Sequence, residues 1–519
     1  MVFQADECFT KRFTSSSAGA APAPRCTPPL LHVLRRLTAL TSLCVLLASC
    51  GGGGCDPLSF GAVGDGVTDN TTAIQSAINV CAMQGGGTVK LSAAGNNAVY
   101  VTGPITLRSH IHLYIDRGVT LQATNDHSRY VPAYINWVYQ PHEALISAKG
   151  ATDVAIAGSG VIDGAGDIPD PNDGGRTWHE VGAAEGAMLR STRPWVIEFY
   201  QCDHVAITGV TIQHQPYWTQ ALRYSNDVTE SGVTINGVGR NSDGVDLVGV
   251  SHATLSDLDI NVSDDNIAVK SGLVISQSDY YYLKEIGLPQ MPTSHVVIRN
   301  ITAKSGQGIS IGSEAANGVH DVTIENVNFT NVLYGFHIKT GRDRGSEIYD
   351  IRVNHFTTTG SGYPIAIDSY YATVGPDPRG PAQPITPTTP HVHDITIHDL
   401  VGTGTTGQSY IHGLPESCIF DVTLNNMVIE SDSLGIDLLH MTGTFTDVTS
   451  TPAPQNPPFV VEENVTVTVA GTTPVIPPTP PLSGQVACPL QAMPDAPEAD
   501  QKPQSGVPWR GRTTRSGAA

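Results

Sequence analysis

Three aspartates in turn-like segments are the first candidates for chemistry in this sequence. Asp243 lies in the run NSDG at 241–244, and Asp264 and Asp265 lie in SDDN at 263–266. Each run taken alone is an ordinary turn signal. If the carboxylates are held together, however, they cannot all stay ionised, and the pKa of one should rise. A protonated carboxyl beside an ionised one is the pair that glycoside hydrolysis needs, one to protonate the leaving oxygen and one to activate water.

An internal repeat determines where these carboxylates lie. The repeated motif consists of a polar residue, an aliphatic residue, any residue, a second aliphatic residue and, three positions later, another apolar residue. It occurs, for example, as HVAITGV at 204–210 and HVVIRNI at 295–301. The second position of this motif falls at residues 205, 228, 253, 296, 322, 351, 395 and 422. Five of the seven steps between these markers are 23 to 29 residues long, and the two steps of 43 and 44 indicate an inserted loop or an extra coil.

The repeat units consist of short alternating β runs broken by Gly, Asn or Asp, with almost no helical periodicity. Units that pair in register form parallel ladders, and their stack buries a core that no single coil could bury. The hairpin turns of a sandwich and the blades of a propeller are not evident. We therefore predict an all-β fold, a single right-handed parallel β-helix. Residues 68–84 are expected to form an N-terminal capping helix with Asp69 or Thr68 as N-cap.

Residues with a similar phase in successive coils lie on the same face of a solenoid. The polar residues that share such a phase are Asp243, Asp264, Asp265, Gln307, His337 and Lys339, which follow their markers by 15, 11, 12, 11, 15 and 17 residues. We therefore predict that they line one cleft across four coils. Clustered carboxylates also bind Ca²⁺, but the nearby Lys339 and the lack of further acidic ligands weaken that alternative. We predict no metal and no cofactor.

The bulk composition limits the class of partner. With 28 basic and 48 acidic residues the formal net charge is −20, which argues against nucleic acid because phosphates call for basic patches. An acidic polysaccharide would need local cations in its site.

The two ends of the chain are not predicted to belong to the folded domain. Residues 35–50 combine a basic pair with a short apolar stretch, which is typical of a signal peptide, and LASC at 47–50 resembles a bacterial lipobox with Cys50 as the lipidated residue. Ordinary secretion with cleavage near Ala48 is the alternative. Three segments are expected: an N-terminal extension with a lipoprotein-type signal peptide at 1–50, the β-helix domain at 51–450, and a Pro-rich, largely disordered tail at 451–519 whose last β runs extend as far as 470.

Two cysteines flank the predicted helix. Cys55 and Cys81 are candidates for a disulfide in an oxidising compartment. Two ordinary buried thiols are the alternative.

Several motifs together resemble glycoside hydrolase family 28, the polygalacturonases and their relatives, over roughly residues 55–450. These motifs are FGAVGDGVTDNTTAIQSAI at 60–78, GVIDG at 160–164, RPWVIEF at 193–199, PYWT at 216–219, NSDGVD at 241–246 and SDDNIAVKSG at 263–272. The resemblance implies an inverting hydrolase in which Asp264 is the general acid and Asp243 and Asp265 activate the water. It also implies that the substrate is bound or positioned by Asn241, Gln307, His337, Lys339 and Tyr371.

The sequence departs from the family pattern in two blocks. GQGISIGSE at 306–314 has Gln307 where the family has His, and GFHIKTG at 335–341 has His337 in place of Arg while Lys339 remains. Histidine cannot grip a galacturonate carboxylate in the bidentate fashion of Arg. Arg342 and Arg344 are candidates to compensate.

The leading prediction is an exported polygalacturonase that degrades plant pectin, works as a monomer, and is either an outer-membrane lipoprotein or a secreted or periplasmic protein. Contact with a membrane is expected only through the lipid anchor. A rhamnogalacturonan or xylogalacturonan hydrolase is the nearest alternative, motivated by Gln307 and His337. A weakly catalytic or non-catalytic surface carbohydrate-binding protein is another.

Overall fold

The computed structural model describes residues 55–93, 97–131, 143–184, 192–272, 290–371 and 379–478. These residues form two α-helices, α1 (Thr71–Met83) and α2 (Trp178–Ala184), two short 3-10 helices at Pro57–Phe60 and His127–Arg129, and 31 strands in two parallel sheets. Cys50, the predicted lipidation site, lies outside the described residues.

One sheet of twelve short strands runs along the molecule, each strand paired in parallel with the next. Its members are β4 (Ile105–Leu107), β7 (Ile146–Lys149), β10 (Ile197–Tyr200), β13 (Gln220–Arg223), β16 (Val245–Val248), β18 (Ile267–Lys270), β20 (Ile309–Gly312), β22 (Tyr334–Lys339), β24 (Tyr363–Asp368), β26 (Tyr410–His412), β28 (Ile436–Leu439) and β30 (Phe459–Val461).

The other described strands form a sheet of nineteen. They are β1 (Asp65–Asp69), β2 (Gly87–Leu91), β3 (Ala98–Thr102), β5 (Ile111–Ile115), β6 (Val119–Ala123), β8 (Thr152–Gly158), β9 (Val161–Asp163), β11 (Asp203–Thr208), β12 (Thr211–Gln213), β14 (Asn226–Ser231), β15 (Thr234–Asn236), β17 (Ser251–Asn261), β19 (Thr293–Ala303), β21 (Val319–Thr330), β23 (Glu347–Thr359), β25 (His391–Thr405), β27 (Ile419–Ser431), β29 (Met441–Thr451) and β31 (Val465–Ala470).

The repeat markers form one continuous ladder in the nineteen-strand sheet. Each marker, from Val205 to Val422, is buried and pairs in register with the marker of the next coil. The predicted parallel β-helix is therefore confirmed. Because Ala253 pairs directly with Val296 and Ile351 with Ile395, the two long steps are insertions within a coil, and no extra coil lies between these paired strands.

The predicted N-terminal helix is present but begins later than expected. Neither Thr68 nor Asp69 is its N-cap; that position is Asn70, whose side chain makes no cap hydrogen bond. The amide of Asn70 instead holds the backbone of Val63, accepting from its N–H at 2.6 Å and donating to its carbonyl at 3.1 Å. Ala73, Ile74, Ala77, Ile78 and Cys81 are the buried residues of α1.

A disulfide joins Cys55 to Cys81 of α1. At the other end of the described chain, β30 and β31 continue the two sheets beyond residue 450 and strand pairing reaches Ala470, the limit given for the last β runs. None of the helices in the described ranges has the length and apolar character needed to span a bilayer.

Candidate active site

The candidate site is built on four neighbouring strands of the twelve-strand sheet, β16, β18, β20 and β22. Their side chains alternate between the core and the outer face, so that Asp246, Ala268, Ser310 and His337 lie side by side in register on the outer face. Polar side chains on this face can therefore meet across strands, whereas their neighbours in sequence, such as Ile267, fill the core.

The three aspartates lie in the turns that precede β16 and β18. Backbone hydrogen bonds stack these turns, since the N–H of Gly244 donates to the carbonyl of Asp265 at 2.8 Å and that of Gln307 donates to the carbonyl of Asp264 at 2.7 Å. One carboxylate oxygen from each of Asp243, Asp264 and Asp265 lies within 4.8 Å of the other two. Two of the three are almost fully buried, and Asp264 is partly exposed to solvent.

Lys339 of β22 reaches across β20 to Asp265, which precedes β18. Its Nζ donates to both oxygens of that carboxylate, at 2.9 and 2.7 Å, and Ser310 donates a further hydrogen bond at 2.8 Å. Burial alone would raise the pKa of Asp265, but Lys339, Lys270 and the Ser310 hydroxyl favour the charged form more strongly, and the pKa is lowered. Asp265 is thus the ionised member of the trio.

The other two carboxyls have the opposite tendency. Burial and the negative charge of Asp265 raise the pKa of Asp264, and burial together with Asp246 and Asp264 raises the pKa of Asp243 well above its ordinary value. The trio therefore combines an ionised carboxylate with carboxyls that retain a proton to higher pH, an arrangement suited to acid–base chemistry.

A second buried pair, Asp246 and Lys270, supports the trio and was missed in the sequence. The Nζ of Lys270 lies 2.6 Å from Asp246, 3.6 Å from Asp243 and 3.9 Å from Glu314, and 3.9 Å from the ring centroid of Trp218. Burial raises the pKa of Asp246 to about 7 despite the lysine. Both residues lie within the motifs NSDGVD and SDDNIAVKSG of the sequence analysis. The sequence feature that could have identified them is the single charged residue in each of the otherwise apolar strands VDLV and IAVK.

Asn241 connects the trio to a buried arginine. Its Nδ2 lies 3.5 Å from Oδ2 of Asp264, and its Oδ1 accepts from Arg193 at 3.3 Å. Arg193 is buried and also donates to the carbonyl of Pro216 at 3.0 Å, while its guanidinium lies over the ring of Tyr217 at 4.4 Å. The amide of Asn241 is thereby fixed with its N–H₂ toward Asp264. The sequence showed no role for Arg193.

Gln307 is partly exposed beside Asp264, and its backbone N–H makes the turn contact described above. An amide cannot titrate, so Gln307 offers hydrogen bonds to a ligand but no proton exchange.

His337 and Tyr371 lie next to Lys339. The imidazole is buried and stacks on the ring of Tyr334 with 4.1 Å between centroids, while the ring of Tyr371 meets it edge-on at 5.8 Å. Burial lowers the pKa of His337, which the carboxylate of Asp368, 3.6 Å from Nε2, offsets only in part. His337 is therefore mainly neutral near pH 7.

The two arginines proposed to compensate for the missing Arg are paired with protein carboxylates. Arg342 forms a two-point contact with Glu416, at 2.5 and 3.1 Å, and Arg344 contacts both oxygens of Asp343 at 3.0 and 3.1 Å. These contacts do not support the expectation that Arg342 or Arg344 binds a substrate carboxylate in place of the family's Arg.

The oxygens of the trio are also close enough together to ligate a cation. Lys339 already occupies both oxygens of Asp265, and Lys270 lies 3.6 Å from Asp243. Two ammonium groups thus balance the charge that a divalent cation would otherwise neutralise.

Comparisons with known proteins agree with this architecture. The model of glycosyl hydrolases family 28 matches residues 87–449. A probable polygalacturonase of Vitis vinifera is 29% identical over 397 residues, which are 73% of this chain and 75% of that protein. An endo-polygalacturonase of Pectobacterium carotovorum subsp. carotovorum is 27% identical over 370 residues, 70% of this chain and 85% of that protein.

The fold is also similar to that of a hyperthermoactive exopolygalacturonase from Thermotoga maritima. The TM-score is 0.63 at 24% sequence identity, and the match covers 76% of this chain and 90% of the other.

Proposed function

The chain belongs to glycosyl hydrolases family 28, and from this membership we propose that it hydrolyses the α-1,4 linkages between galacturonate residues of pectin. The observation that carries the proposal is the convergence of Asp243, Asp264 and Asp265, whose pKa values are displaced in opposite directions. Carboxyls of unlike protonation state are what glycoside hydrolysis requires. Similarity to the polygalacturonases of V. vinifera and P. carotovorum supports galacturonan as the polymer.

Asp264 is the proposed general acid. It is the partly exposed member of the trio, so a glycosidic oxygen of a bound polymer can reach it. Its raised pKa keeps a proton available for the leaving oxygen. The Nδ2 of Asn241, 3.5 Å from Oδ2 of Asp264, helps to orient the carboxyl.

Asp265 is the proposed general base. Lys339 and Ser310 hold it in the ionised form, so it can take a proton from water. Asp243, whose pKa is raised, positions this water by a hydrogen bond and assists the base. The role of Lys339 is thus mainly to set the charge of Asp265, and the remaining contacts with the sugar come from Gln307, Tyr371 and the residues around His337.

The test is product analysis with purified protein on polygalacturonate, measuring new reducing ends and the absorbance of 4,5-unsaturated uronides together. A hydrolase gives reducing ends without that absorbance, whereas a lyase gives both. Asp264→Asn should lose activity by about 10²- to 10⁴-fold while it retains the circular dichroism spectrum of the parent. Equal activity of the parent and this variant would contradict the assignment of the acid.

A rhamnogalacturonan or xylogalacturonan hydrolase is the second candidate. The observation that favours it is His337, which is buried and mainly neutral. In the family pattern this position is Arg, which can bind a substrate carboxylate. A non-catalytic carbohydrate-binding protein is a third possibility, and parent activity that disappears in Asp264→Asn would eliminate it.

Export follows as a proposal from the signal-like segment at residues 35–50. A lipid on Cys50 would be detected as a mass increment on the N-terminal peptide, and Cys50→Ala should abolish it. We also propose that the enzyme is a monomer, which light scattering can measure.

A further inference from the structure

A patch of tyrosines covers His337 on the C-terminal side of the trio. Tyr334 stacks on the imidazole and also on Tyr363, with 5.2 Å between the two phenol rings. Tyr363 meets Tyr410 edge-on at 5.9 Å. Together with Tyr371, these residues form what we call the tyrosine patch, and all four are half-buried with part of their surface at the solvent. A ligand that lies over β22 and β24 therefore contacts the solvent-exposed parts of these phenol rings.

Four cations among the described residues of this region are each paired with a protein carboxylate. Lys339 holds Asp265, and three arginines are each paired with an acidic side chain at 2.5 to 3.0 Å. The three arginine pairs are Arg342 with Glu416, Arg344 with Asp343, and Arg379 with Glu462. A substrate carboxylate that paired with any of these four cations would have to displace its present partner.

An acidic side chain, Asp368, lies beneath the patch. Asp368 is buried, stands next to Lys339 in the sheet register, and has its Oδ2 3.6 Å from His337 Nε2. Because the imidazole is mainly neutral near pH 7, this carboxylate is not balanced by a positive charge on His337. A second carboxylate placed nearby would be repelled, and like charges brought together at a binding surface cost several kcal/mol.

We propose that the subsite over the tyrosine patch accepts a sugar that carries no charge at C5, either a methyl-esterified galacturonate or a neutral 6-deoxy sugar of a branched pectin. The inference rests on the proposed pectin hydrolase activity and narrows its substrate class. Both ligands present the same chemistry here, an apolar sugar face that packs on phenol rings and a C5 substituent without a formal charge. His337 and Asp368 are the specificity-determining residues.

The experiment measures kcat/KM of the full chain on three polymers, following new reducing ends. Polygalacturonate and the same preparation after chemical methyl esterification form a matched pair of equal chain length, and a rhamnogalacturonan backbone is the third. We expect the esterified polymer or the rhamnogalacturonan to exceed polygalacturonate by about tenfold, the factor that corresponds to roughly 1.4 kcal/mol. Preference for one of these two identifies the ligand.

Two variants test the residues themselves. His337→Arg supplies a guanidinium beside Asp368 and should raise activity on polygalacturonate relative to its ester by about tenfold. Asp368→Asn removes the negative charge without adding bulk and should move the ratio in the same direction. His398→Arg is the matched control, because it makes the same change at a half-exposed position of the nineteen-strand sheet; it should leave the ratio unchanged.

The outcomes separate the two proposals. Polygalacturonate cleaved as well as, or better than, the other polymers overturns the uncharged subsite and leaves the hydrolase intact. A ratio that does not change in Asp368→Asn overturns the role of that charge even if His337→Arg fails to fold. No reducing ends from any polymer would defeat the proposed function itself, and the narrower inference would fall with it.

Discussion

A buried acid–amide pair inside the β-helix makes stability depend on pH in a way that can be measured. Gln220 and Glu230 are completely buried, and Nε2 of the glutamine donates to Oε1 of the glutamate at 2.7 Å. The other two oxygens of the pair, Gln220 Oε1 and Glu230 Oε2, have no hydrogen-bond partner. Because burial disfavours the charged carboxylate and the hydrogen bond from Gln220 offsets this only in part, the structure fits the neutral form of Glu230.

The size of the effect follows from the pKa of Glu230, which burial raises to about 7 from an ordinary value of 4.5. Below pH 4.5 both the folded and the unfolded chain carry the proton, and the group costs nothing. Between pH 4.5 and 7 the unfolded chain releases the proton and the folded chain keeps it, so stability falls as pH rises. Above pH 7 the full penalty is present, about 3 kcal/mol at about 1.4 kcal/mol for each pKa unit.

The perturbation is a double substitution that copies the next coil. Val245 and Leu255 pair in register with Gln220 and Glu230, so Gln220→Val with Glu230→Leu restores two aliphatic ladders of the core. Urea titrations of parent and variant at pH 5 and pH 8 give four midpoints. Every other titrating group contributes equally to both proteins, so the free energy of unfolding of the parent should fall, relative to the variant, by roughly 2 to 3 kcal/mol between the two pH values.

Glu230→Gln is the isosteric control, because it keeps the hydrogen bonds of the neutral acid but cannot ionise. It should flatten the pH dependence as the double variant does, without the change in packing. If parent and both variants lose stability equally between pH 5 and pH 8, Glu230 is not neutral in the folded chain, and the reasoning from its burial is wrong.

Three further outcomes are expected. Lys339→Met removes the charge that lowers the pKa of Asp265, so the acid limb of the kcat/KM profile should move to higher pH and the maximal rate should fall; an unmoved limb would exclude Asp265 as the base. Proton NMR of the first product should show the inverted anomer. The trio oxygens lie within 4.8 Å of one another, closer than the roughly 6.5–9.5 Å typical of inverting carboxyl pairs. The product with retained configuration would therefore contradict the inverting assignment. EDTA should leave the initial rate unchanged, and activity that is lost on chelation and restored by Ca²⁺ would refute the prediction of a metal-free site.

The fold could be predicted because the sequence pattern that specifies it is periodic. A buried aliphatic at each marker is needed wherever coils stack, so Val205 through Val422 reveal the ladder without any knowledge of loops. The helix boundary was less accessible, since it depends on Asn70 turning back to the backbone of Val63, a contact made within the fold. The motif copy DVTESGV at 227–233 contains Glu230, and nothing local indicates that this side chain enters the core opposite Gln220.

The site was predictable to the extent that it follows the phase of the repeat. Asp243, Asp264 and Asp265 are brought together by stacked turns, and their similar phase in the repeat is visible in the sequence. The contact of Lys270 with Asp246 depends on which residues of neighbouring strands face each other, which follows from the strand register and not from composition. The same limit applies to Arg342, whose partner Glu416 lies 74 residues later in the chain.

The distribution of cations links the proposed chemistry to the proposed substrate. Lys339 can keep Asp265 ionised only while it stays on that carboxylate, because removal of one partner of a buried charge pair costs several kcal/mol. A galacturonate carboxylate that drew Lys339 away would stabilise the bound polymer and at the same time raise the pKa of the base. A family member with Arg at the position of His337 could bind that carboxylate with a separate cation. Here the imidazole is mainly neutral and Asp368 lies behind it. An uncharged sugar over the tyrosine patch would therefore leave Lys339 on Asp265 and the protonation states of Asp264 and Asp265 unchanged.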